Sequence, residues 1–306
     1  MPPATDATPR RVVVTGATGF IGSALVALLR AAGHTVLRLT RRPAGADDVR
    51  WDPARGELDA AALDDAEAVI HLAGENIGER WTDEQRRRIL DSRVQGTALL
   101  ARSFAALARP PRVFVSGSAT GIYGDSGDRE VDEHGAPGAG FLAEVVQAWE
   151  AAAEPARAAG LRVVHPRLGI VLHESGGALA RMLPVFRLGV GGRLGSGRQW
   201  MSWISRDDAV RALAFLALDA LLDGPVNVVA PEPVRNADFT HALGHALGRP
   251  AVTVVPAFAL TLAYGRMAEE TLLAGQRVRC DRLLAAGFTF HHPTLDAALR
   301  AALGDG

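Results

Sequence analysis

The segment Val12-Val13-Val14-Thr15-Gly16-Ala17-Thr18-Gly19-Phe20-Ile21-Gly22 narrows the folds open to this chain more than any other. A short apolar run enters Gly-x-x-Gly-x-x-Gly. An Ala- and Leu-rich stretch from Ile21 to about Ala32 follows and stops at Gly33. Strand, glycine turn and helix in that order form a unit whose helix N-terminus carries unpaired N–H groups and a partial positive charge. Such an end is a seat for a pyrophosphate. Gly16 would make the tight turn, Gly19 would admit the phosphate, and Gly22 would let the helix lie close to the sheet. A glycine turn without ligand is the alternative. The second strand, Val36-Leu37-Arg38-Leu39-Thr40, completes the order that dinucleotide binding requires and favours it.

The end of that second strand is informative. A carboxylate there accepts bonds from a ribose 2′-hydroxyl and repels a 2′-phosphate. This chain has Thr40-Arg41-Arg42 instead, with Asp47 and Asp48 further on in an apparent loop. Guanidinium groups bond phosphate through a planar fork. The expectation is therefore NADP(H); the competing reading is that Arg41 and Arg42 are solvated loop charges.

The 306 residues suffice for a large α/β core plus a smaller lobe. A net charge of −1 supplies no global field for nucleic acid or a membrane surface. Cys280 is the single cysteine, so an internal disulfide framework is excluded and a reducing, cytoplasmic compartment is expected. It reads as a small, partly buried side chain rather than a nucleophile. No run of about 18 apolar residues suggests a membrane span. Residues 1–10 lack the apolar core of a secretion signal and are expected to form a loose tail.

Along the chain, a loop containing Trp51-Asp52-Pro53 precedes a buried strand, Ala68 to Leu72, that ends in a turn at Ala73-Gly74. A long amphipathic helix is predicted from Thr82 to about Ala108, with Thr82-Asp83-Glu84-Gln85 as its capped start and Pro110-Pro111 after it. Arg112 to Ser116 is a strand, 124–140 a polar glycine-rich loop, Phe141 to about Ala159 a helix, and Leu161 to His165 a strand. This alternation predicts an α/β fold: a Rossmann, doubly wound parallel sheet covered on both faces. Residues 11–230 are assigned to it. Val226 to Val229 would return to the sheet, and 231–306 would form a smaller interleaved α+β substrate lobe. Residues 175–204, with an apolar helix from Ala178 to Leu188, are expected to contribute to that lobe. Ligands bind beyond the C-terminal strand ends in such a sheet. Gly16, Thr40, Leu72 to Gly74, Ser116 to Thr120 and His165 to Leu168 all fall there.

These residues resemble the extended and atypical short-chain dehydrogenase/reductase superfamily, and within it the "epimerase family" branch of sugar-nucleotide-epimerase-like proteins. The likeness spans nearly the whole chain. It rests on Leu72-Ala73-Gly74-Glu75-Asn76-Ile77 with Arg80-Trp81-Thr82, on Asp91-Ser92-Arg93, and on Leu188-Gly189-Val190-Gly191-Gly192. It continues through Gly195-Ser196-Gly197-Arg198-Gln199-Trp200-Met201-Ser202-Trp203-Ile204, Leu273 to Val278 and Ala286-Gly287-Phe288. The resemblance implies a Rossmann domain with an interleaved C-terminal lobe, and by analogy a homodimer formed through helices 82–108 and 141–159.

It also implies a Tyr-x-x-x-Lys pair one helical turn apart, in which the ammonium lowers the tyrosine pKa for proton transfer. This chain departs from that pattern. Aligned by Trp149-Glu150, its helix carries Leu142 and Val146 at the two positions, and neither ionises. Ser118 can bond a substrate carbonyl or hydroxyl, with Thr120 a competitor and turn stabilisation the alternative for both. Glu75 is a cleft acid or a solvated loop acid. Arg93 replaces an asparagine of the superfamily; it binds phosphate or carboxamide, or forms a structural ion pair. Tyr123 reads as packing rather than catalysis.

The expected cofactor seat comprises Gly16, Thr18, Gly19, Phe20, Ile21, Thr40, Arg41, Arg42, His71, Leu72, Ala73, Gly74, Arg93 and Ser116, with Pro166 and Leu168 at the nicotinamide end. Arg198, Trp200, Met201 and Trp203 would line the substrate pocket; a core stripe with a surface arginine is the other reading. Asp207 and Asp208 read as a helix cap. His241 with His245, and His291-His292, lack the spacing partners of a metal site, so none is expected. No Gly-x-Ser-x-Gly elbow for acyl transfer occurs. The expectation is an atypical NADP(H)-dependent oxidoreductase or epimerase-like enzyme acting on a small molecule, a nucleotide sugar among the candidates. The alternative is a catalytically silent NADP(H)-binding sensor or scaffold.

Overall fold

Three consecutive valines start the sheet, and their side chains alternate across it as a strand requires. In the computed structural model, which describes residues 8–304, β1 (Arg11–Thr15) sends Val12 and Val14 to one face and Val13 to the other. Residues 1–7 of the expected tail lie outside the described residues. After β1 come α1 (Gly22–Ala31), β2 (Thr35–Thr40), β3 (Asp48–Asp52), β4 (Glu57–Leu58), β5 (Ala68–His71), α2 (Asp83–Ser103) and β6 (Val113–Ser116). Then follow β7 (Ser118–Ala119), β8 (Glu130–Val131), α3 (Phe141–Ala151), α4 (Glu154–Ala158) and β9 (Arg162–Leu168).

The second half continues with β10 (Ile170–Leu172), α5 (Gly177–Arg187), β11 (Gly192–Leu194), β12 (Trp200–Met201), β13 (Trp203–Ser205), α6 (Arg206–Leu218) and β14 (Gly224–Val228). It closes with β15 (Val234–Arg235), α7 (Asn236–Ala246), β16 (Thr253–Val255), α8 (Ala257–Tyr264), β17 (Arg277–Val278), α9 (Asp281–Ala285) and α10 (Leu295–Leu303). No helix among the described residues is long and apolar enough to cross a membrane.

The large sheet runs β14-β9-β6-β5-β1-β2-β3-β4, with β7 beside β9. All its pairings are parallel except that of β3 with β4. Leu25, Val26 and Leu29 of α1 and Leu213 and Leu216 of α6 cover one face. Leu100 and Ala101 of α2, Phe104 and Ala156 of α4 cover the other. Burying each such Leu or Val side chain contributes roughly 1.5–3 kcal/mol. The strand order reverses direction at β1, so the crevice beyond β1 and β5 is the topological switch point where α/β sheets bind ligands.

The core of the smaller lobe joins Leu179, Leu183 and Phe186 of α5 to Met201 and Trp203, to Phe239 and Leu243 of α7, and to Leu295 and Leu299 of α10. Residues from 179 to 203 thus pack with residues beyond 231. β14 returns to the main sheet, as expected from Val226 to Val229.

Several boundaries differ from expectation. The loop around Trp51-Asp52 is β3 and β4, which extend the sheet edge; Asp48 opens β3 rather than lying in a loop. Thr82 caps α2 by accepting from the Gln85 amide at 3.1 Å, but α2 ends at Ser103 and a 3-10 turn, Phe104–Ala106, replaces its last part. The helix expected over 141–159 is two helices, because Pro155 lacks an N–H and takes its place in the first turn of α4. β9 runs past the expected end at His165, through Pro166, to Leu168. Pro166 is tolerated in a central strand because the neighbouring chain breaks between β6 and β7 at this point.

Ser205, rather than Asp207 or Asp208, caps α6, accepting from the Asp208 amide at 3.1 Å. The fully buried Asp208 carboxylate takes bonds from Arg211, the Ser205 hydroxyl and the His291 and His292 amides, and so ties the C-terminal segment to α6. Asp208→Ala strands these donors. It should cost about 3–5 kcal/mol of stability in urea unfolding, against less than about 1 kcal/mol for the exposed neighbour in Asp207→Ala.

Candidate functional site

The glycine turn is shaped by contacts that no side chain would allow. Gly16 has φ of 65°, and a Cβ there would lie 2.8 Å from the Leu72 carbonyl carbon. A Cβ at the buried Gly22 would fall 2.1 Å from the Gly16 oxygen. Gly19 is exposed, and a Cβ there would meet only the Gly16 oxygen, at 3.1 Å. The Gly19 amide donates to Gly16 O at 2.9 Å. The Phe20 and Ile21 amides at the opening of α1 donate to no backbone group outside regular elements among the described residues. Turn, open approach and close packing therefore fall on the three glycines in the order the pattern requires, and Thr18, Phe20 and Ile21 border the open side. A dinucleotide pyrophosphate fits this cradle.

Across the switch point, Thr15 stitches β1 to β5. Its hydroxyl oxygen accepts from the Leu72 amide at 3.1 Å and the Ala73 amide at 3.2 Å. With both lone pairs used, its proton goes to His71 Nδ1, 2.6 Å away. His71 therefore carries its own proton on Nε2. The ring is fully buried against Gly96 of α2, edge-on to Trp51 and stacked on Phe114. Burial, with the Arg93 charge nearby, holds its pKa down at about 3. His71 was expected in the cofactor seat; its side chain instead faces the core beneath α2.

Arg93 remains at the crevice. Its guanidinium lies against Gly74, where a Cβ would be 3.1 Å from the guanidinium carbon, and 5.1 Å over the Trp149 ring. Nη1 donates to the Glu75 and Ile89 carbonyls at 3.0 and 3.2 Å. No carboxylate lies within ion-pair distance among the described residues. Burial lowers its pKa to about 10. Glu75 is half-buried, and its Oε1 accepts from Gln85 at 3.4 Å. The ion-pair reading of Arg93 is not what the geometry offers.

Ser118 is drawn into a buried polar assembly. Its hydroxyl donates to Glu150 Oε1 at 2.6 Å. Arg167 holds both Glu150 oxygens at 2.9 Å, and its Nη1 donates to the Tyr123 hydroxyl, which donates to Asn227. Burial alone would raise the Glu150 carboxyl, but Arg167 and Ser118 outweigh it and hold it below its ordinary range. Ser118, 2% exposed, has no proton left for a substrate oxygen. Ser116 is fully buried and its hydroxyl has no partner among the described residues. Sequence reasoning missed Glu150 and Arg167, since nothing in their spacing announces a pair between a helix and a strand. On α3, Leu142 and Val146 stand one turn apart, with Leu142 beside Gly121.

The outer residues separate into two groups. Trp203 is fully buried, donates to the Glu232 carbonyl and belongs with the buried Met201 to the core of the smaller lobe, so neither lines a pocket. Trp200 is clamped between the guanidiniums of Arg235 and Arg277, at 4.1 and 4.6 Å, while Arg198 is exposed. Pro166 lies buried within β9, and Leu168 ends that strand half-buried against the main core. The segment before α5 packs on the glycine turn: a Cβ at Gly176 would lie 2.4 Å from the Phe20 ring, and Arg206 stands 5.6 Å over the same ring. Sequence reading did not find Arg206.

At the far end of β2, the acids are consumed by other partners. Asp48 binds Arg38 at 2.6 Å and Asp47 binds Arg30 at 2.6 Å. Arg41 and Arg42 are exposed and have no carboxylate partner among the described residues. Ligand-type atoms of Asp207, Asp208 and His291 lie within 4.8 Å of one another, but they are engaged with one another or with main-chain and Arg211 donors. Burial pushes the Cys280 thiol up to about 12, which removes it as a nucleophile.

A Rossmann sheet with this glycine turn at its switch point defines a dinucleotide-binding protein, and family comparison narrows it. The model of the NAD dependent epimerase/dehydratase family matches residues 12–228, and a domain of unknown function, DUF1731, matches 255–302. The chain belongs to the NAD dependent epimerase/dehydratase family. It is 47% identical over 290 residues to the epimerase family protein Mb2239 of Mycobacterium bovis, covering 94% of this chain and 96% of that one. The crystal structure of human epimerase family protein SDR39U1 (isoform2) with NADPH is similar with a TM-score of 0.88 and 37% identity, over 97% of this chain and 100% of that one. A nucleoside-diphosphate sugar epimerase from Corynebacterium glutamicum gives 0.80 and 36%, over 97% of this chain and 59% of that one.

The His71 environment has a pH signature. A pKa lowered on folding gives stability that is complete above the unfolded value near 6.5 and is lost as pH falls toward about 3. Each unit is worth about 1.4 kcal/mol. Urea midpoints should fall between pH 6.5 and pH 4. His71→Asn, whose Oδ1 can still accept from Thr15, should flatten that fall; an unchanged slope rejects the assignment.

Proposed function

We propose that this chain binds NADP(H) at the Gly16–Gly22 turn and moves a hydride between the nicotinamide ring and an oxygen-bearing carbon of a small substrate. The observation that carries the NADP(H) reading is the state of the charges beyond β2. Among the described residues, every nearby acid already has an arginine, while Arg41 and Arg42 do not have an acid. A 2′-phosphate would complete them, with Thr40 beside it. The NADPH named with the human relative supports the same cofactor.

The Phe20 and Ile21 amides would receive the pyrophosphate, with Arg206 adding positive charge beside Phe20. Leu72 and Ala73 spend their amides on Thr15, so they would border the cofactor with side chains and carbonyls. Gly74 and Leu168 would complete the wall. Arg93 would hold a phosphate or carboxamide oxygen from its place beside Gly74. NADP(H), when bound, supplies or accepts the hydride.

Reduction of a carbonyl leaves an alkoxide that needs a proton. Leu142 and Val146 have none, and Ser118 has given its own to Glu150. We assign the proton to Glu75, whose Oε2 has no hydrogen-bond partner among the described residues. Arg198 and Trp200 are assigned to the outer end of the substrate. A nucleotide sugar is the class suggested by the Corynebacterium relative. The second reading, a silent NADP(H) sensor, is favoured by Leu142 and Val146.

Calorimetry separates these readings. Charge-assisted bonds to the extra phosphate are worth about 1.5–3 kcal/mol, so NADPH should bind at least about tenfold more tightly than NADH. Arg41→Asp should narrow or reverse that gap, and equal affinities in the unmodified protein would remove the NADP(H) reading. NADPH absorbance would then be followed with a panel of carbonyl compounds and nucleotide sugars. Turnover lowered by Glu75→Gln about 10²–10⁴-fold supports the enzyme; tight binding with no turnover across the panel favours the sensor.

A further inference from the structure

The hairpin of β3 and β4 stands beside the bend that carries Arg41 and Arg42. Its strands pair antiparallel, Trp51 opposite Leu58 and Asp52 opposite Glu57. Side chains alternate along a strand, so Trp51 enters the core while Arg50 and Asp52 share the other face. On that face Glu57 is the diagonal neighbour of Arg50. Its Oε2 accepts from Arg50 Nε at 3.0 Å and Nη2 at 2.9 Å. On the opposite side β3 pairs with β2, placing Arg50 next to Thr40. The remaining arm of the guanidinium, Nη1, donates to the Arg41 carbonyl at 3.1 Å. Two further tethers hold the same bend. The Thr40 hydroxyl oxygen accepts from the Arg42 amide at 3.3 Å. Asp48 Oδ2 accepts from the Ala44 and Gly45 amides at 2.9 and 3.0 Å. An exposed segment, Arg41 to Asp47, thus has its main chain fastened near both ends.

We propose that Arg50, braced by Glu57, is a positioning residue that sets the Arg41–Arg42 bend to receive a 2′-phosphate and so favours NADP(H) over NAD(H). The proposal rests on the NADP(H) reading above. Arg50 is not itself the phosphate ligand, because the edge of its guanidinium that would fork onto a phosphate is occupied by Glu57. Its contribution is preorganisation. Two long side chains on an exposed bend lose less freedom on binding when the main chain beneath them is already fixed.

Charge alone and positioning predict opposite results for one substitution. Glu57→Leu removes a negative charge close to an anion site, which by Coulomb attraction tightens phosphate binding. It also releases Arg50, and loss of positioning weakens phosphate binding. Calorimetry of the full chain with 2′,5′-ADP, 5′-AMP, NADPH and NADH separates the two. The expected result is that Glu57→Leu binds 2′,5′-ADP and NADPH about threefold to tenfold more weakly, the worth of one hydrogen bond, with no such loss for 5′-AMP and NADH. Arg50→Met combined with Glu57→Leu leaves the net charge unchanged and should show the same selective loss; it supplies the measurement should the single variant fail to fold. Tighter or unchanged 2′,5′-ADP binding in either folded variant overturns the proposal. So does an equal loss for all four ligands, which makes the hairpin a structural support only. In both of those cases a parent protein that prefers NADPH keeps the NADP(H) reading. Equal affinities of the parent for NADPH and NADH remove that reading and the proposal with it.

Discussion

Main chain pressed on main chain, with no side chain between, is the constraint on which this molecule depends. At the junction of β1 and β5, Gly22 lies on the carbonyl of Gly16, and Gly16 lies on the turn after β5. That contact brings the opening of α1 to the sheet edge where strand order reverses. The opening of the helix, with its unpaired amides, then lies at that sheet edge. Thr15 secures the same junction with one hydroxyl, accepting from two amides and donating to His71. The turn is thus held by contacts within the chain, so a ligand bound there need not supply the free energy of ordering it.

A second organising element lies one strand away. The Glu150–Arg167 pair is buried, bidentate and continued by Tyr123 and Asn227. Buried pairs give modest net stability, because desolvation opposes attraction, yet breaking one is costly. Here the pair has a consequence for chemistry: Glu150 accepts the hydrogen bond that the Ser118 hydroxyl can donate. Leu142 and Val146 on α3 offer no proton either, so under the proposed function this end of the crevice would be short of donors. In the proposed reading, the glycine turn and Arg41 and Arg42 would hold the dinucleotide, and acid–base work would fall to Glu75 beside Arg93.

The legible parts of this chain were those governed by local rules. The valines of β1, the three glycines, the Thr82 cap and the return of Val226 to the sheet follow from alternation, backbone freedom and capping, each confined to a few residues. What failed was set by distant neighbours. Met201 and Trp203 have the composition of a pocket wall or of a core, and only α5, α7 and α10 closing over them made them core. His71 sits on a strand whose residues alternate between faces, and its register turned it toward Trp51 instead of the crevice. Asp48, read as a loop acid, became the first residue of the strand beside β2 because Arg38 across the ladder holds it.

The order of residues alone determined a Rossmann sheet, the place of its glycine turn, the arginines beyond β2 and the aliphatic residues at 142 and 146. Each is a property of short segments, where backbone geometry and side-chain type decide the outcome. The tertiary structure decided which polar groups remain available. Hydrogen-bond capacity is finite, and whether Ser118, Leu72, Ala73, Asp48 or Arg93 has any left depends on partners 10 to 58 residues away that only the folded chain brings within reach.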